Sequence, residues 1–280
     1  MLSLKILCHQ RGEIIMTEKL VDVFKQMSLG WLCMAAAKSA CDTQEVIQSG
    51  KVCEVGLSTL LPSQLYIGFD EISLKMDQFE WYDTGEKPCY GSADDALQDA
   101  GIMVVQGIEC DRFYIADGHH TLNAAWQYFK NPNYSVKVEV LDSYCHQSMT
   151  EESFWSEMIN QTYAFPYALD YRGDLSVLSA RGMSEQVPTS LLAMTDWWYR
   201  SLAYVVKAWG DFHPLKDNQG HVVPFGQFFE GQCLKDLGVV PQNMTRSLVG
   251  YAATLFDDEK QLLQRCQLSP APLRRTVGDI

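Results

Sequence analysis

Phe113-Tyr114-Ile115-Ala116-Asp117-Gly118-His119-His120-Thr121-Leu122-Asn123-Ala124-Ala125-Trp126 reads as a short strand, a one-glycine turn crowded with polar groups, and the opening of a helix. The first N–H groups of a helix have no intrahelical acceptor, and with the helix dipole behind them they form a ready anion site. Two imidazoles and a carboxylate sit at that point. Asp117 can accept hydrogen bonds or hold a metal ion, Gly118 lets a ligand approach the backbone, and His119, His120 and Thr121 can donate to phosphoryl oxygens. A plainer reading makes Asp117 an N-cap, Gly118 a turn residue and the histidines solvated. The histidine pair favours the functional reading.

Upstream, residues 55–61 form a strand that Pro62 ends, since proline has no N–H to continue a ladder. Gln64, Gly68, Glu71 and Lys75 follow on a short helix, and residues 77–91 read as loop. Ser92, with Asp94 and Asp95 behind it, starts a helix that Gly101 stops. Residues 103–108 and 112–116 form a hairpin, and the helix after the central turn runs to about Lys130. Residues 136–141 alternate strictly, which predicts a half-buried strand, antiparallel or at an edge. From Thr150 the pattern turns helical, with a long helix over 195–208 presenting Trp197, Trp198, Leu202 and Val205, and another over 224–237.

The central segment resembles the phosphate-binding motif of the ParB/sulfiredoxin superfamily in its Asp-Gly-His-His form. Leu57 to Gly68 is similar to the strand-to-proline entry of that domain. Asp196-Trp197-Trp198-Tyr199-Arg200-Ser201-Leu202 and Pro224-Phe225-Gly226-Gln227-Phe228-Phe229 resemble a second block of its ParB-like nuclease branch. The resemblance implies an α+β fold, a small mixed-sheet domain followed by a mainly helical C-terminal region. Superfamily members bind or hydrolyse nucleoside triphosphates, phosphorylate free serine, repair over-oxidised cysteine with ATP, or carry a nuclease label. In the serine kinases a glutamate acts as base near the position of Gln64, so Glu71 is the replacement candidate here. His119 stands where sulfiredoxins have their reactive cysteine, which weighs against that activity.

The implied division is 1–51, an N-terminal helix and linker; 52–148, the ParB/sulfiredoxin-like domain; 149–267, the helical region; and 268–280, a tail. Apolar spacing over residues 15–37 gives an amphipathic helix whose mixed polar face suits packing better than a membrane. With 22 Lys and Arg against 35 Asp and Glu, the net charge of −13 has the wrong sign for gripping DNA by phosphate neutralisation, which argues against sequence-specific DNA binding. No apolar run reaches the length of a membrane span. Nine scattered cysteines without zinc-like spacing read best as free thiols in a reducing compartment, while Cys41, Cys53 and Cys89, flanking the start of the domain, leave open an exported form with some disulfides. A cytoplasmic protein is therefore favoured, while the signal-like run over residues 27–37 keeps an exported form open.

Three functions follow. The first is phosphoryl chemistry on a nucleoside triphosphate, ATP foremost, with Mg²⁺: catalytic Asp117, His119, His120 and Glu71; nucleotide contacts from Gly118, His119, His120, Thr121, Gln64, Lys75 and Arg200; metal on Asp117; and water, a small molecule or a protein as acceptor. The second is a metal-dependent nuclease. The third is a non-catalytic, nucleotide-gated module that binds a protein partner. For Arg200, a buried ion pair is favoured over a phosphate contact, and for Glu71 and Lys75 a solvated i, i+4 pair has equal weight.

Overall fold

The computed structural model describes residues 40–86, 89–210, 215 and 223–256. The expected helix over 15–37, its signal-like run and the tail lie outside the described residues. β1 (Lys51–Gly56) runs into a 3-10 turn (Leu57–Thr59) and β2 (Leu60–Leu61), so the single strand expected over 55–61 is split in two. Then come β3 (Tyr66–Ile67), α1 (Phe69–Thr84), α2 (Ala93–Gln98), β4 (Ile102–Gln106), β5 (Phe113–Asp117), α3 (His119–Phe129) and β6 (Ser135–Ser143). The remainder is mainly helical: α4 (Glu151–Asn160), a hairpin of β7 (Tyr167–Leu169) and β8 (Leu175–Val177), α5 (Ala180–Gln186), β9 (Thr195–Asp196), α6 (Trp198–Gly210), α7 (Gly226–Asp236) and α8 (Arg246–Phe256). The expected α+β architecture with a helical C-terminal region is thus the one adopted.

The main sheet is mixed, in the order β1-β6-β4-β5-β2. β6 pairs antiparallel with β1 and parallel with β4, so it lies inside the sheet and not at an edge. β4 and β5 form the expected antiparallel hairpin. Successive residues of these strands face opposite ways, and at β4 and β5 both faces are covered. Val104, Phe113 and Ile115 enter a core shared with Ile72 and Phe79 of α1, Leu97 of α2 and Leu122 of α3. Val105 and Tyr114 point into a second core with Phe154, Trp155 and Met158 of α4 and Met183 of α5. A third core joins α6, α7 and α8 around Phe165, Leu202, Phe228 and Leu234.

Helix α1 corrects two expectations. It is not a short helix ending near Lys75; it continues through the stretch read as loop, to Thr84, and closes on Gly85 in the left-handed region (φ 74°). At the other end of the fold, Thr195 and Asp196 belong to a two-residue strand parallel to β3, and the helix starts at Trp198.

The expectation of free thiols is also overturned. Cys41 bonds Cys53 and Cys110 bonds Cys145, while Cys89 and Cys233 are disulfide-bonded as well. Residues 42–51, expected to be a linker, are fixed from both sides. The first disulfide ties Cys41 to β1, and the buried Gln106 amide accepts from the Ile47 N–H at 3.0 Å and donates to the Glu45 carbonyl at 3.0 Å. No helix among the described residues is long and apolar enough to cross a membrane.

Candidate functional site

The turn between β5 and α3 has a glycine because its backbone requires one. Gly118 sits at φ 107°, and a Cβ there would lie 2.4 Å from Ile102 Cδ1 of the neighbouring strand. Only glycine takes this conformation without strain and still lets β4 pack against the turn. Asp117, exposed at the end of β5, accepts from the Gly118 N–H at 2.8 Å. The next three N–H groups, of His119, His120 and Thr121, have no acceptor in the hydrogen bonds of the described residues, as expected for the first turn of a helix.

Both imidazoles are buried, so the plainer reading of solvated histidines does not hold. The Ser63 N–H donates to His119 Nε2 at 3.1 Å, and the Gly68 N–H donates to His120 Nε2 at 3.0 Å. A backbone N–H can only donate, so each Nε2 presents its lone pair and each ring carries its proton on Nδ1. Burial, reinforced by the Arg200 charge, holds His119 down at about 3 and His120 well below its ordinary value. The two rings are therefore neutral at pH 7. They bolt the β2–β3 connection onto the start of α3, and any donation by them to a phosphoryl oxygen has to come from Nδ1.

Behind this turn lies a buried charge cluster. Arg200, on α6, places NH1 2.6 Å from Glu71 Oε2, and Lys75, one turn along α1, lies 3.8 Å from Glu71 Oε1. Glu71 Oε2 is also 3.4 Å from His120 Nε2. Glu71 is 3% exposed, so its pair with Lys75 is not the solvated one that spacing alone allows. Burial pushes the Glu71 carboxyl up from its ordinary value, while the Arg200 and Lys75 charges pull against that rise. The Arg200 guanidinium lies 5.4 Å from the Phe228 ring centre, and its buried Nε has no acceptor among the described residues.

The cluster is held in place by contacts between α1 and α6 that sequence spacing did not reveal. Gly68 abuts α6 so closely that a Cβ would lie 2.4 Å from Ser201 Oγ and 2.9 Å from Ser201 N. Ser201 Oγ accepts from the Glu71 N–H at 3.3 Å, and Asp196 Oδ1 accepts from the Phe69 N–H at 2.7 Å, capping α1. Gly68→Ala is expected to cost about 1–3 kcal/mol in chemical denaturation, since backbone and not a flexible side chain must give way.

Of the residues singled out from sequence, Glu71, Lys75, His119, His120 and Arg200 are thus brought together, with Asp117, Gly118 and Thr121 on the rim. Gln64 is buried for a different purpose, its amide donating to the Tyr66 carbonyl at 2.8 Å. Ser63, Asp196 and Ser201 were not singled out for the site. Their one signal was position, each lying within the two blocks that flank the turn.

Comparison with known proteins bears on the fold and the family. Among solved structures, the protein Atu1540 from Agrobacterium tumefaciens is similar, with a TM-score of 0.51 and 22% identity, the match covering 79% of this chain and 91% of that one. At this identity the likeness speaks for the fold alone. No curated protein matches the chain. The family described as "Putative ParB-like nuclease" matches residues 53–232, from β1 through most of α7 and so across every side chain of the cluster. The chain therefore belongs to the ParB-like nuclease family.

Proposed function

We propose that the start of α3 binds the phosphates of a nucleoside triphosphate, ATP foremost, together with Mg²⁺, for hydrolysis or transfer to a hydroxyl. The observation that carries this reading is that, among the described residues, the first three N–H groups of α3 and the buried Nε of Arg200, whose charge is felt at both histidines, have no acceptor. Donors without protein partners at a helix start suit an anion. Lys75 and Arg200 add positive charge beside them, within a protein of net charge −13 that otherwise repels phosphates.

The residues present fit such a ligand. Asp117 is the exposed carboxylate and would hold the metal; the N–H groups of His119, His120 and Thr121, with Gly118 allowing close approach, would hold phosphoryl oxygens. The bound Mg²⁺-nucleotide would supply the transferable phosphoryl group. This chain's part is to position and neutralise it. His119 and His120 fix the turn, and Glu71 keeps Arg200 and Lys75 beside it. Serving as base would require Glu71 to release Arg200, so in this arrangement Asp117 is the better-placed carboxylate for a hydroxyl.

Thermal stability in the presence of ATP, ADP and CTP, with and without Mg²⁺, tests the proposal. A ligand at 100 times its Kd adds about 2.7 kcal/mol, well within reach of a melting experiment. We expect a Mg²⁺-dependent rise with a triphosphate, weakened in Asp117→Asn, whose exposed side chain can be changed without disturbing the core. No rise with any nucleotide at millimolar concentration would sink it. The family's description favours a second reading, metal-dependent cleavage of a phosphodiester on the same turn. Plasmid nicking by the wild type that vanishes in Asp117→Ala would decide for that reading.

A further inference from the structure

Cys110, in the β4–β5 loop, and Cys145 and His146, just after β6, bring two sulfurs and a ring nitrogen within 4.8 Å of one another. They lie far from the α3 turn in the fold's topology, beyond the opposite ends of β4 and β5. Cys145 is buried, Cys110 half-buried and His146 exposed. Cys110 and His146 line an open cleft of about 330 Å³ that Glu109, Asp111 and Gln44 also line.

The histidine is set up as a ligand. His146 Nε2 lies 2.9 Å from the Gln44 carbonyl oxygen, which can only accept, so Nε2 carries the proton and Nδ1 presents a lone pair. Cys110 Sγ lies 3.6 Å from Nδ1 and equally 3.6 Å from Nε2. With Sγ in a disulfide, it has no hydrogen to offer the nitrogen. A histidine that donates one N–H to a backbone carbonyl, and keeps the lone pair of its other nitrogen within reach of sulfur, has the second-shell arrangement of metal-binding histidines. His146 keeps this pose at φ 62°. Gln44 is itself held, because its neighbours Glu45 and Ile47 bond the buried Gln106.

We propose that, once the Cys110–Cys145 bond is reduced, these three residues form a binding site for Zn²⁺ or a similar thiophilic divalent ion. A dithiol reductant gives up two electrons and two protons and becomes a disulfide, while the Cys110–Cys145 bond breaks to two thiols. Binding then releases both thiol protons to solvent, leaving two thiolates and neutral Nδ1 on the metal. Two sulfurs and one nitrogen are three of the four positions zinc takes, and water from the cleft or the Asp111 carboxylate completes the set. The site would thus exchange a covalent staple in oxidising surroundings for a metal staple in reducing ones.

Cobalt is the probe, since thiolate ligation gives a near-ultraviolet sulfur-to-metal band that oxygen ligation does not. The full chain, reduced and freed of reductant under anaerobic conditions, is expected to show this band with Co²⁺, and the oxidised chain is not. Cys41→Ser with Cys53→Ser should leave the band intact, and Cys145→Ser should remove it. His146→Asn keeps the disulfide, and asparagine tolerates positive φ, so it separates a ligand's role from a folding defect. Its reduced form should bind at least about tenfold more weakly. The proposal is overturned if the reduced wild type gives no band, or if the band and affinity are the same in His146→Asn or Cys145→Ser.

Discussion

Glu71→Leu is expected to destabilise the protein by about 3–5 kcal/mol at pH 7, the usual result of leaving a buried charge without its partner. The partner is Arg200, whose NH1 sits 2.6 Å from Glu71 Oε2 in a place where both side chains are less than a tenth exposed. A guanidinium cannot shed its proton at any working pH, so in this variant Arg200 must stay charged in a dry site or drag water in. Arg200→Leu should cost less. Burial already pushes the Glu71 carboxyl up, and without Arg200 it can take a proton and become neutral. The two single variants should therefore differ in pH dependence, with the penalty of Arg200→Leu shrinking toward acid and that of Glu71→Leu changing little. The double variant should recover most of the loss, because an apolar pair of similar volume often replaces a buried ion pair at no net cost. Chemical denaturation of the four proteins at pH 5 and pH 7 makes the comparison. Equal penalties for both single variants at both pH values would show that the pair is not buried and ionic. Nucleotide binding, if it uses the orphaned Nε of Arg200, should vanish in Arg200→Leu and in the double variant but not in a Lys75→Met control that leaves Arg200 in place.

That pair also marks the limit of what the sequence could disclose. The strand, glycine turn and helix of residues 113–129 were legible because each depends on local spacing: alternation for β5, a lone glycine for the turn, and apolar residues at Leu122, Ala125 and Phe129 for α3. The contact between Glu71 and Arg200 spans 129 residues and depends on α6 crossing the start of α1 at Gly68 and Ser201, which no periodicity records. β6 teaches a related lesson. Its strict alternation gives the two faces of a strand, but hydrogen-bonding edges run perpendicular to the side chains and leave no mark on that period. An interior strand with one exposed face therefore reads like an edge strand. The sequence of α1 suggests a shorter helix for a physical reason as well. Its last two turns bury little beyond Phe79, and their Asp, Glu and Gln side chains face solvent, so composition mimics a loop. Disulfide pairing was out of reach because it follows register. Cys41 meets Cys53 through the bridge between Ala40 and Glu54, a contact of backbone and not of cysteine spacing.

Lowering the pH should unfold the protein through the same two histidines that organise the turn. His119 is neutral in the folded protein down to about 3, whereas in the unfolded chain an imidazole takes its proton near its ordinary value of 6.5. Between those values the unfolded chain binds one proton more than the folded one, so stability rises with pH across the window and is lost as pH falls through it. The slope is roughly 1.4 kcal/mol per pH unit for each such group, which over the whole window amounts to about 5 kcal/mol for His119 alone. His120 is shifted in the same direction and adds to the loss. Glu71 works the other way. Its raised carboxyl binds a proton more readily in the folded protein, so it favours folding as pH falls and offsets part of the effect. Two histidines against one carboxyl leave the net slope positive. His119→Gln isolates the contribution, since the glutamine carbonyl can still accept the Ser63 N–H but does not titrate. At pH 7 the variant should be less stable than the wild type through imperfect packing, and the gap should narrow steadily from pH 6.5 to pH 4 by an amount set by the missing imidazole. Parallel curves for the two proteins would mean that His119 carries its proton in the folded state, and the assignment of Nε2 as an acceptor from Ser63 would fall with it.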